Sequence, residues 1–152
     1  MLAHYQEGTM QLTLRVQPDR LVVTVFNSSS DEIRLWELEN SWGWDSFSFD
    51  LRSESGGQLL TAKRAAREWS KNGPTYFALP AGASRDLHFH LDDGWWEIGD
   101  TSGLRDAPLL VRATLSIGRT PEAEQFGVFT GTVLSDWVAS APPHAWLPQG
   151  QA

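Results

Sequence analysis

The sequence contains no cysteine, only two methionines and two tyrosines, and few basic residues. Without cysteine there are no disulfides, no thiol nucleophile and no thiolate-ligated zinc. No stretch approaches the roughly 18 consecutive apolar residues that a bilayer-spanning helix requires, so no membrane partner is expected. The start, Met1-Leu2-Ala3-His4-Tyr5-Gln6-Glu7, lacks the basic residues and apolar run of a secretory signal. That points to a cytoplasmic protein. Twelve Lys and Arg stand against 19 Asp and Glu, a formal charge of -7. Such a field repels phosphate and argues against nucleic-acid binding. There is also no Gly-x-Ser-x-Gly elbow, no Ser-x-x-Lys motif and no glycine-rich phosphate cradle. These absences point to a chain that is not an enzyme and carries no cofactor.

What is present is a length of 152 residues, 41% of them apolar, with eight tryptophans. The length suits one domain with a proper core, and the apolar content excludes a wholly disordered chain. Alternation with a period of two dominates. Met10, Leu12, Leu14 and Val16 alternate with Gln11, Thr13 and Arg15, the pattern of a half-buried strand. Leu21 to Phe26 reads as a strand buried on both faces, and Asn27-Ser28-Ser29-Ser30-Asp31 as a turn. Asn27-Ser28-Ser29 also fits a glycosylation sequon, which without export is only a turn. Ile33–Leu38, Phe47–Leu51, Gln58–Ala62, Thr75–Leu79, Arg85–Leu91 and Leu109–Ile117 continue the series, and Val128–Val138 closes it. In that last run Phe129, Val133 and Trp137 share one face. The sequence therefore predicts an all-β fold, an antiparallel immunoglobulin-like sandwich of eight or nine strands.

Ala62 to Lys71 is made of good helix formers and is followed by Asn72-Gly73-Pro74, which predicts a short helical segment at 62–71. Residues 1–140 form the single domain. The Pro-rich tail at 141–152 is expected to lie extended on the surface.

Three phrases resemble small bacterial immunoglobulin-like sandwiches. Leu21–Glu32 is similar to their apolar strand followed by Asn, a small residue and an acidic turn. Phe77–Ser84, with Leu79-Pro80-Ala81-Gly82-Ala83-Ser84, is similar to their Pro-Gly turn. Val111-Arg112-Ala113 and Phe129–Asp136 resemble their closing hairpin. The families are the intracellular proteinase inhibitor of bacilli and the sandwich prodomain of deuterolysin-type metalloproteases. The resemblance implies a sandwich fold and an inhibitory, protein-binding role.

Asp86, His88, His90 and Asp92 alternate with Leu87, Phe89 and Leu91. His88 and His90 point the same way on a strand and are weak metal candidates, since two imidazoles and a carboxylate suit zinc or copper. The competing interpretation is a solvated face opposite the Leu-Phe-Leu core, so no metal is assigned. Lys63, Arg64, Arg67 and Lys71, with Glu68 among them, make a local +3 around Trp69. This reads as a solvated basic loop.

Eight tryptophans exceed what one small core holds. Trp36 and Trp137 lie within strand patterns and are expected in the core. Trp42 and Trp44 flank Gly43, and Trp95 and Trp96 follow Gly94, so these four are expected at turns on an edge. With Asp92 and Asp93 they form the candidate partner-binding surface, because exposed indoles give large contact area at low entropic cost. The expected partner is another protein, such as a basic toxin or enzyme that the acidic surface attracts. The function expected is that of an inhibitor or immunity protein. The alternative is a carbohydrate-binding module with the Trp turns as a stacking platform.

Overall fold

Eleven strands form among the residues that the computed structural model describes, which are 9–69, 72–105, 107–140 and 146–148. In chain order they are β1 (Met10–Val16), β2 (Leu21–Asn27), β3 (Ile33–Trp36), β4 (Phe47–Ser53), β5 (Leu60–Arg64), β6 (Tyr76–Leu79), β7 (Ser84–Phe89), β8 (Trp96–Glu97), β9 (Leu109–Ile117), β10 (Gly131–Leu134) and β11 (Val138–Ser140). A 3-10 turn at Ser102–Leu104 and one helix, α1 (Pro121–Phe126), complete the described secondary structure. The fold is all-β and sandwich-like.

One sheet runs β1-β2-β7 and the larger one β10-β9-β4-β5-β8, with β11 also paired to β9; β3 and β6 pair separately. Every strand pairing is antiparallel. The register puts Leu12 opposite Val25 and Leu14 opposite Val23 on the first sheet. On the second, Phe49 lies between Ala62 and Ala113, and Leu51 lies between Leu60 and Val111. These inward rows meet in one core. Phe89 of β7 crosses the gap to Phe47 and Phe49 of β4, with ring centroids 5.1 and 5.2 Å apart. Each fully buried side chain of this size contributes about 1.5–3 kcal/mol. Leu21, Val22, Val23 and Val25 are all fully buried, as a strand covered on both faces requires.

Asn27 joins two of the turns. Its backbone N–H bonds the Ala83 carbonyl, and its own carbonyl accepts from Gly82 N–H. Its side-chain amide donates to the Asp31 and Leu79 carbonyls at 2.7 and 2.9 Å, and its Oδ1 accepts from Ser29. The residue is 0% exposed. The sequon amide is thus committed to fastening the Ser28–Asp31 turn onto the Pro80–Gly82 turn.

The structure differs from the expected pattern at four places. The helix predicted at 62–71 is instead the end of β5 followed by irregular chain to Trp69, because Ala62 is needed inward beside Phe49. Tertiary pairing overrides helix propensity here. The helix lies at Pro121–Phe126, a stretch that reads as loop. It has a Thr120 N-cap accepting from Ala123 N–H, Pro121 at its start and Gly127 in the left-handed conformation at its end. Val128–Val138 is two short strands rather than one, broken where the Ser135 hydroxyl accepts from Ala113 N–H. Finally, Trp146 and Leu147 are each 2% exposed and belong to the core, so that part of the tail is not extended on the surface. Residues 141–145 and 149–152 lie outside the described chain.

Candidate functional site

The turn between β3 and β4 sets the positions of two candidate indoles. Asn40 is buried, and its Oδ1 accepts from Trp42 and Gly43 N–H at 3.0 and 2.9 Å. Its amide donates to the Thr75 carbonyl and hydroxyl, which pins the turn to the start of β6. Gly43 presses against the end of β3, so closely that a Cβ there would meet the Glu37 carbonyl oxygen at 2.0 Å. Only glycine fits this approach. The tight turn splays its two flanking tryptophans into separate clusters.

Trp42 goes to one side. Its ring lies 6.3 Å from Trp36, which also meets Phe126 of α1, and its Nε1 donates to Glu122. Tyr76 adds to this group through Phe126, and Arg34 lies 4.9 Å over the Tyr76 ring. Here α1 covers the outer face of the β3–β6 pair. Trp42 is therefore a half-buried packing residue and is not presented at an edge.

Trp44 goes to the other side and is only 8% exposed. Its Nε1 donates to the Ala65 carbonyl at 2.9 Å. Trp69 and Trp95 stand edge-on to it, at 5.8 and 5.7 Å and 80° and 84°. Two arginines of the basic loop thread between the rings. The Arg64 guanidinium is 4.2 Å from both the Trp44 and Trp96 rings, and that of Arg67 is 4.4 Å from Trp69 and 4.9 Å from Trp44. The sequence Trp69, Arg67, Trp44, Arg64, Trp96 is thus a ladder of alternating indoles and guanidinium groups. Each rung is worth about 0.5–2 kcal/mol, the higher values applying where water is excluded.

Carboxylates close the ladder from outside. Arg64 pairs with Asp93 at 3.3 Å, and Arg67 with Glu39 at 3.1 Å. Burial pulls the Arg64 guanidinium below its ordinary value, and Asp93 acts in the opposite direction. The Asp93 Oδ1 also accepts from Trp95 N–H at 2.8 Å, which, with Gly94 at positive φ, shapes the loop. A backbone bond from Ala65 N–H to the Trp95 carbonyl ties that loop to the strand end.

The candidate residues are therefore only partly brought together. Trp44, Trp95, Trp96 and Asp93 share one cluster, Asp92 is exposed on the same loop, and Trp42 belongs elsewhere. Of the four expected surface indoles, Trp95 alone is exposed, at 41%. Trp96 packs inward on Phe49 and Phe89. Arg64, Arg67 and Trp69 are the members that sequence reasoning assigned to a solvated loop. Their signal is the Arg-x-x-Arg-x-Trp spacing, which has meaning only once Trp44 is known to face it. Trp36 is in the core as expected. Trp137 is not: it lies half-buried, with Arg52 and Arg112 each 4.5 Å from its ring.

His88 is exposed on the outer face of β7, and His90 lies just past that strand's end. Among the described residues, no group of three or more His, Asp or Glu is arranged to hold a metal. No helix among them is long and apolar enough to cross a membrane. Comparison of the chain with protein-family models, curated proteins and solved structures finds no match.

Proposed function

We propose that the chain is a non-catalytic protein-binding domain of the inhibitor or immunity-protein type, acting in the cytoplasm on a basic partner such as a toxin or enzyme. The observation that carries this reading is Trp95. It is the exposed large aromatic of the cluster, backed by a stack of indoles and guanidinium groups and flanked in sequence by carboxylates. Preorganised indoles in such settings are where binding energy concentrates. Among the described residues Asp92 and Glu97 flank it without an ion pair, and the net charge of -7 adds a long-range attraction for a basic surface. The immunoglobulin-like resemblance to the intracellular proteinase inhibitor of bacilli supports the same reading.

Carbohydrate binding is the second reading, and it needs open indole faces. The Trp44 and Trp96 rings each carry a guanidinium 4.2 Å away and Trp69 carries one at 4.4 Å, so the platform reduces to Trp95. This favours a protein partner.

The test uses a partner captured from the native host and measured by surface binding kinetics. Trp95→Ala is expected to weaken the complex by about 2 kcal/mol or more, roughly thirtyfold, mostly in the off-rate. The on-rate of the unaltered chain should fall as salt rises. An on-rate indifferent to salt removes the electrostatic part. A tryptophan-fluorescence response to glucan or chitin fragments with no such partner would favour the second reading.

A further inference from the structure

The outer face of the larger sheet holds a half-buried arginine that no carboxylate pairs with among the described residues. Arg15, Arg20, Arg34, Arg64, Arg67, Arg85 and Arg112 each pair with a carboxylate. Among the described residues Arg52, Arg105 and Arg119 do not, although acids outnumber bases in this chain. Arg105 donates to the Leu147 carbonyl, while Arg52 has an indole. It alternates with the inward Phe49 and Leu51 on β4, so it projects from the outer face, and its Nε is buried with no acceptor. Its guanidinium is held over the Trp137 ring at 4.5 Å. Arg112 stacks on the same indole at the same distance, and Asp50 is bonded to Arg112 at 2.8 and 3.2 Å. Arg112 thus takes the Asp50 carboxylate, and Arg52 has the indole face alone. A half-buried cation without a counter-charge is costly, and one already immobilised by stacking loses little entropy on accepting a planar anion.

Apolar side chains share this face with Asp50, Arg112 and Thr114. Register places Leu110 beside Arg52 and Leu134 beside Thr114 on this face, and Leu134 is 51% exposed. We propose that this face, centred on Arg52, Trp137 and Leu134, is a second docking surface. Its occupant is a carboxylate side chain carried on an apolar peptide segment of another protein. Charge complementarity selects the carboxylate, which the planar guanidinium can take bidentately. The exposed leucine selects the apolar neighbours. This surface takes an acidic segment, the opposite of the one Trp95 addresses, and lies on strands that contribute nothing to the Trp95 loop.

The test is a titration of the 15N-labelled full chain, following the Arg52 Nε–H signal. The probes are an acetylated Leu-Glu-Leu amide peptide, its Leu-Gln-Leu counterpart and inorganic phosphate. The Glu peptide is expected to shift the Arg52 signal and to bind at least about tenfold more tightly than the Gln peptide, as a charge-assisted bond predicts. Arg52→Gln should abolish that tenfold preference while leaving the Trp95 surface unaffected. Arg52→Lys should retain only part of it, since an ammonium lacks the fork. Equal binding of the two peptides, or no shift with either, overturns the proposal. Phosphate binding as tightly as the Glu peptide overturns the assignment of the occupant.

Discussion

At the scale of single residues, the outer face of the smaller sheet shows how neighbours set an ionisation. Thr24 Oγ1 donates to the Asp86 carboxylate at 2.6 Å, and Arg15 pairs with it at 3.0 Å. The hydroxyl bond, with Arg15 helping, holds the Asp86 carboxyl below the ordinary aspartate value, against a smaller opposing effect of burial. A value lowered in the folded state means that its stabilisation is in place above the unfolded value. That stabilisation is lost as pH falls through the folded one. Thr24→Val should return the Asp86 titration upward toward the ordinary value, as followed by carboxyl 13C shifts. A titration that does not move would assign the lowering to Arg15 alone. Asn27 and Asn40 show a different residue-level logic. Each is a buried amide with its donors and acceptor used, and both sit where sequence marks only a turn.

At the scale of elements, the turn at Asn40–Ser46 has least room for change. Gly43→Ala must move backbone, because the atom in the way is the Glu37 carbonyl oxygen. The expected loss is about 2–3 kcal/mol, a fall in Tm of roughly 5–10 °C for a chain of this size. A melting curve unchanged from the parent would show that the turn relaxes freely. The strands were largely legible: the alternation in β1, β4 and β9 reads directly as burial. The ends were not. β5 carries helix-forming residues in a strand because Phe49 and Leu51 require partners, a constraint written elsewhere in the chain. The α1 signals, Thr120, Pro121 and Gly127, are local and present in the sequence. A six-residue helix offers too little periodicity to draw the eye to them. β7 is paired on one side only, with β2, among the described residues. Arg85, aligned with Leu87 and Phe89, lies 4.0 Å over the Phe77 ring and reaches Glu37, a charge that guards this edge against further pairing.

At the scale of the whole molecule, the eight tryptophans divide by environment in a way composition cannot express. Trp36 and Trp146 serve the core, Trp42 serves the α1 flank, and Trp137 stands on the outer sheet face. Trp44, Trp69 and Trp96 form the ladder, with Trp95 edge-on to Trp44. The candidate site was legible as residue types and turns, while its grouping depended on contacts between segments some 20 to 50 positions apart, such as Trp44 with Arg64 and Trp95. Residues 146–148 are structural as well. Thr101 donates to the Pro148 carbonyl and Arg105 to that of Leu147, and Trp146 is among the largest fully buried side chains. Trp146→Ala should cost about 3–5 kcal/mol, lowering Tm by roughly 10 °C. Retained stability would mean that the rest of the core closes over the gap.

The crossed arrangement of Trp44 with Trp69 and Trp95, at 5.8 and 5.7 Å, has an optical consequence. Indoles this close share excitation, so light absorbed by the sheltered ring reaches the one that faces solvent. The emission of the trio therefore reports on the surroundings of the exposed Trp95, and the chain carries its own fluorophore at that surface.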